Sequence, residues 1–234
     1  MPISPHLIRP EVWQFYQAQL ATLDQTDSLV RGVGAIAWQV NSDWHPDQSL
    51  RQLDDIASTV IRPLTSRAPT AVLAHLHEEL FATLGFRGDP ENYYQPQMSY
   101  LPLVLERRRG LPVLLTLVYK AVAERVGLVV EGVNTPGHFL AAVMADGSAT
   151  TDWQLIDPFA GGRLLSTAEA AEQLSRVLGQ SIQLTWDELP LAAHPQWLGR
   201  ILLNLWTVFQ QTGEERQRQV IEAFLRPLQV VPRD

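Results

Sequence analysis

The order of elements in this sequence predicts an α+β fold: helices, then one helix leading into a short antiparallel sheet, then helices again. Three observations carry that expectation. Apolar residues recur at three- and four-residue steps through the first third of the chain, three short strand-like runs follow in the middle, and the tail returns to helical spacing.

In the first third, Trp13, Tyr16, Leu20 and Leu23, then Leu29, Val33, Ile36 and Val40, mark helix over 10–40. Leu50, Leu53, Ile56 and Val60 continue the pattern after a turn at His45-Pro46. The proline-bearing stretch 62–69 interrupts it. Another helix then places Val72, Leu76, Leu80 and Leu84 on one face and ends at Gly85.

The stretch 86–96 is rich in turn formers, and Ser99 is read as the N-cap of a short helix ending at Arg107-Arg108-Arg109-Gly110. Pro112 opens the next helix, where a missing N–H costs nothing, and Gly127 closes it. The strand-like runs are Leu128–Val133, His138–Met144 and Trp153–Ile156, with Asp146-Gly147 as a turn between the last two. Ser166 and Glu169 form a capping-box signature for a helix over Ser166–Leu178. Trp197 to Leu228 reads as a helical pair broken near Thr212-Gly213. These elements divide into a helical region (1–84), a core (85–190) and a C-terminal helical pair (191–234).

Composition excludes several chemistries. The 234 residues include no cysteine, so there is no disulfide, thiolate metal site or thiol nucleophile. A net charge of -7 argues against generic nucleic-acid binding, which needs a basic surface. No apolar run approaches a membrane span, and the N-terminus lacks a secretory pattern, so a soluble cytoplasmic protein is expected. His75 and His77 fall on different faces of one helix, so no metal is assigned, and no cofactor is expected.

The middle of the chain carries the candidate chemistry. A histidine opening one strand (His138) and an acid ending the next (Asp157) can meet across a hairpin, the acid orienting the imidazole. A helix N-terminus nearby would stabilise an anion. That helix begins Pro112-Val113-Leu114-Leu115, which offers no nucleophile, and the nearest hydroxyl, Thr116, is expected to bond back to its own helix. Asp157 precedes a proline and so is equally suited to starting a turn.

The residues around this frame resemble the SirB-type transglutaminase-like family. The likeness runs through Phe86-Arg87-Gly88, Tyr93 to Leu101, Val104 to Pro112, Gly132 to Leu140, and Ile156-Asp157-Pro158-Phe159 with Gly161-Gly162. It extends from about residue 28 onward, and the tail looks like that family's tetratricopeptide-like helical pair. The resemblance implies a papain-related core in which His138 and Asp157 match the catalytic histidine and aspartate. It also implies that at least one arginine of Arg107, Arg108 and Arg109 is a buried clamp. Two positions depart from the pattern: Leu114 stands where the family commonly has serine, and Met98 where it has asparagine.

The expectation is therefore a non-catalytic scaffold binding a protein or peptide, through a cleft near Tyr100, Leu114, His138, Phe139 and Asp157 with the arginines Arg107, Arg108 and Arg109, or through its C-terminal helices. The alternative is a hydrolase or acyltransferase using Thr116, Ser99 or a water activated by His138. A third reading is a chaperone-like assembly factor acting through exposed apolar surface.

Overall fold

The computed structural model of the chain describes residues 7–144 and 153–232. Its principal helices are α1 (Pro10–Leu20), α2 (Thr26–Val40), α3 (Pro46–Ile61), α4 (Pro69–His77), α5 (Leu101–Arg107), α6 (Pro112–Arg125), α7 (Thr167–Leu178), α8 (His194–Thr212) and α9 (Glu215–Leu225). Strands β1 (Val130–Val133), β2 (Leu140–Met144), β3 (Trp153–Asp157) and β4 (Arg163–Leu165) form one antiparallel meander in sequence order. The expected α+β class is what is observed. No helix among the described residues is long and apolar enough to cross a membrane.

Strand alternation gives the sheet two different faces. Val130, Ala141, Val143 and Ile156 join the main core, which α6 fills from Val113 to Ala123 and to which α1, α2, α8 and α9 also contribute. Val133, Leu140, Ala142, Leu155 and Leu165 belong to a smaller cluster with Ala170 of α7. The site below depends on this division.

The C-terminal helices are seated in the core. Trp197 of α8 is fully buried, donates from Nε1 to the Val113 carbonyl at 3.0 Å, and lies 4.8 Å from the Phe139 ring. A side chain at Gly132 would put its Cβ 2.5 Å from the Trp197 ring, so close approach of indole and β1 requires glycine there. Lys120, the chain's single lysine, is buried, pairs with Glu124 on its own helix (2.6 Å) and ties α6 to β1 through the Val130 carbonyl.

Several local expectations are corrected. Ser99 is not an N-cap: it closes a 3-10 turn (Pro96–Ser99), and Tyr100 precedes α5 with no side-chain cap. An N-cap serine bonds the N–H two or three residues on, and here the second of those donors is missing because the residue is Pro102. The Ser99 hydroxyl is buried without a hydrogen-bond partner among the described residues. At the other end of α5, Arg108 rather than a glycine takes the left-handed turn (φ 60). Its guanidinium lies 5.0 Å over the Phe86 ring and bonds the Leu105 carbonyl, contacts that offset the backbone cost. Gly110 is needed for packing, since a Cβ there would lie 2.9 Å from Val104.

The helix through Leu84 is α4 continued by a wider π-type turn over Glu78–Thr83, and Gly85 follows with φ 71. The Ser166–Glu169 capping box forms as read. Strand β4 was not expected, because three residues with no alternation carry no strand signal. His138 stands in the loop just before β2 rather than within it. The Asp146-Gly147 turn lies outside the described residues.

Candidate functional site

His138 is delivered by the turn Asn134-Thr135-Pro136-Gly137, in which Gly137 takes φ 72 and the His138 N–H donates to the Thr135 carbonyl at 3.2 Å. Ala141 pairs with Ile156 across β2 and β3. One residue further along that ladder Asp157 faces Leu140, two residues from His138, so the two side chains leave the sheet on the same side.

They meet. His138 Nε2 lies 2.8 Å from Asp157 Oδ2, with the carboxylate 5% exposed and the imidazole 23%. The other carboxylate oxygen accepts the backbone N–H groups of Phe159 (3.0 Å) and Ala160 (3.1 Å). Both roles the sequence allows Asp157, starting a turn and holding a histidine, are thus filled, one by each oxygen. An Nε2–H donated to this carboxylate leaves Nδ1 with its lone pair, and Nδ1 has no hydrogen-bond partner among the described residues. That nitrogen is the atom available to a ligand or a proton.

The imidazole is also held from the side. Phe159 meets it edge-on at 5.9 Å and 88°, and Tyr93 packs on Phe159 at 6.0 Å. Gly88 donates its N–H to the Phe159 carbonyl at 2.8 Å, and a Cβ at Gly88 would fall 2.3 Å from the Phe159 ring. The Phe-Arg-Gly motif therefore places a residue without a side chain where the aromatic wall passes.

The pair opens onto a cavity of ≈ 400 Å³, with Thr135, Arg163 at the start of β4, and Gln173 and Arg176 of α7 in its lining and Leu140 and Leu174 as apolar floor. No residue of α6 lines it. Leu114 is wholly buried in the main core and Phe139 is 1% exposed against Trp197, so these two expected cleft residues lie in the core with α6. Tyr100 lines a separate cavity of ≈ 320 Å³ between α2 and α9, where burial pushes its phenol well above the usual tyrosine range. Thr116 does not bond back along its helix: its hydroxyl donates to the Phe139 carbonyl at 3.3 Å and is buried. Neither Thr116 nor Ser99 lines the His138 cavity.

The arginine triplet is away from the cavity as well. Arg107 is exposed, Arg108 sits over Phe86, and Arg109 donates to the carbonyls of Gly85 (2.8 Å) and Arg108 (2.7 Å). Arg108 and Arg109 are half-buried while Arg107 is exposed; burial, with Arg87 adding to it, holds Arg109 below the usual arginine range. Thr135, Phe159, Arg163, Gln173 and Arg176 were missed by the sequence reading. The available signal was the Ala170, Gln173, Leu174 stripe on α7, which marks one face of that helix. Among the described residues, no group of three or more His, Asp or Glu side chains is arranged to hold a metal ion.

The fold thus sets a His–Asp pair between the loop before β2 and the end of β3, on the sheet face away from α6. The transglutaminase-like superfamily model matches residues 47–203, and the chain belongs to that superfamily. It is 33% identical over 202 residues to a UPF0162 protein of Xylella fastidiosa, covering 83% of this chain and 69% of that one. A UPF0162 protein of Pseudomonas aeruginosa is 34% identical over 172 residues, 73% of this chain and 61% of its own. F-box only protein 21 of Mus musculus is 34% identical over 154 residues, 64% of this chain and 24% of that longer protein. No solved structure is a significant match.

Proposed function

We propose that this chain is a non-catalytic transglutaminase-like protein that binds a segment of a protein or peptide at the His138–Asp157 cavity, with the α8–α9 pair as a second contact face. One observation carries the reading. The imidazole is fixed by Asp157 and opens on a cavity, while the helix start that would present a nucleophile in such a frame is apolar and packed under Trp197. A histidine held in this way can accept a directed hydrogen bond from a ligand N–H or O–H at Nδ1 without any covalent step. The occurrence of a similar segment as a quarter of F-box only protein 21 fits a module used for recognition inside larger proteins.

The test is a screen of the purified chain against a random-sequence peptide array, followed by titration of the bound peptides in solution. Binding should be specific, saturable and lost in His138→Ala, with the melting temperature kept. A hydrolytic or acyl-transfer activity that copurifies with the chain and vanishes in His138→Ala would overturn the reading. A hydrolase in which His138 activates water is the second reading, favoured by a cavity-lining histidine whose Nδ1 has no hydrogen-bond partner among the described residues.

A further inference from the structure

The charge balance of the cavity differs from that of the chain. The whole protein carries -7, yet the cavity lining holds two arginines, Arg163 and Arg176, against a single carboxylate, Asp157, with Glu169 and Glu172 pairing the arginines from outside the lining. The Asp157 carboxylate is already committed to the imidazole and two backbone N–H groups. It has little left to offer a cation.

The arginines, by contrast, have donors to spare. Arg163 gives one bond, from Nη2 to Glu169 at 2.8 Å, and Glu169 is itself occupied at the head of α7 by the Ser166 N–H and hydroxyl. Arg176 lies 4.0 Å from Glu172, beyond hydrogen-bond reach. Both guanidiniums are more than half exposed, so these surface pairs contribute little and exchange readily for a ligand's carboxylate. The two cations come from different elements, β4 and α7, on the rim, above the apolar floor of Leu140, Ala170 and Leu174. Gln173 and Thr135 add neutral polar groups between them.

Resting on the peptide-binding reading, we infer that the occupant is an acidic peptide segment, whose Asp or Glu side chains pair with Arg163 and Arg176 while an adjacent apolar side chain fills the floor beneath His138. Planar guanidiniums suit carboxylates, which they can engage through paired bonds. A polyanion such as RNA presents phosphates along its whole length, and the chain's overall negative charge repels it beyond this patch. The acidic peptide needs the cations only at the cavity.

The array above, sorted by charge, tests this directly. Peptides retained by the wild-type chain should be enriched in Asp and Glu next to an apolar residue. For one such peptide, the Glu→Gln version should bind on the order of tenfold more weakly, and raising the salt should weaken the Glu form selectively. Arg176→Glu should cost at least as much, Arg176→Lys less, and Arg163→Gln should give a comparable loss. Because the Arg176 side chain makes no hydrogen bond among the described residues, only an exposed pair with Glu172, its variants keep the test sound if Arg163 variants unfold. Equal binding of Glu and Gln peptides that is still abolished by His138→Ala would overturn the acidic preference and leave peptide binding standing. Retention of no peptide would sink both. Binding of a single-stranded oligonucleotide with the same arginine dependence would replace the peptide by a nucleic acid.

Discussion

His138 and Phe139 are neighbours in sequence and belong to opposite environments. Phe139 turns to the main core, where its ring meets Trp197 and its carbonyl accepts the Thr116 hydroxyl, close under the start of α6. His138 turns to the other side, to Asp157, Phe159 and an open cavity between the sheet and α7. The first region is dry and closed by an indole; the second is polar and partly solvated. The difference teaches that the missing nucleophile is not an isolated vacancy at Leu114. The whole helix start is core, and the histidine lines a different space.

The sharpest way to break that comparison is Trp197→Ala. Removing a fully buried indole that bonds Val113 and packs on Phe139 should cost about 3–5 kcal/mol by urea denaturation, with loss of folding at the upper end. A cost below about 1 kcal/mol would mean that the α6 start is not sealed by the tail.

Single cysteines probe the two regions next, with no background because the chain has none of its own. Leu114→Cys, in place of a side chain with 0% exposure, should label with a thiol reagent on the order of a hundredfold more slowly than Gln173→Cys in the cavity. A fast, low-pKa thiol at Leu114 would show that the helix start still faces an open catalytic frame.

Gly88→Ala should then disturb the cavity side alone. The added methyl overlaps Phe159, whose N–H holds Asp157, so stability should fall by about 1–3 kcal/mol. The His138 ring resonances should shift in the same variant. Unchanged resonances would remove Phe159 from the support of the imidazole.

The smallest expected effect is a pH dependence. Burial lowers the His77 pKa below its ordinary value, and its Nε2 shares a hydrogen bond with the Tyr119 hydroxyl at 3.0 Å. As pH falls through about 6.5 the unfolded chain takes up a proton that the folded state resists. Stability should therefore decline toward lower pH and stop declining on this account once pH passes below the lowered folded value. His77→Phe should flatten that part of the profile, the change in slope being no more than one proton's equivalent.

Much of the fold was legible because it rests on local rules. The apolar spacing of α2, α3 and α6, the Ser166–Glu169 box and the glycines at 85, 127 and 213 each act within a few residues. The His138–Asp157 contact was legible too, since a short meander leaves few other places for the two side chains. Ser99 misled because its hydroxyl suits a cap while Pro102 withholds a donor. Arg108 misled because its left-handed turn is supported by Phe86, a contact across sequence.

The sequence alone determined the α+β order, the absence of any thiol and the presence of a histidine and an acid 19 residues apart around one strand connection. Only the tertiary structure decided which side of the sheet that pair serves. A hairpin brings two residues together whichever layer covers it. The covering layers, α6 with Trp197 on one face and α7 with Arg163 and Arg176 on the other, are assembled from segments far apart in the chain. Burial and charge at the site follow from that assembly, so no local pattern around His138 could announce them.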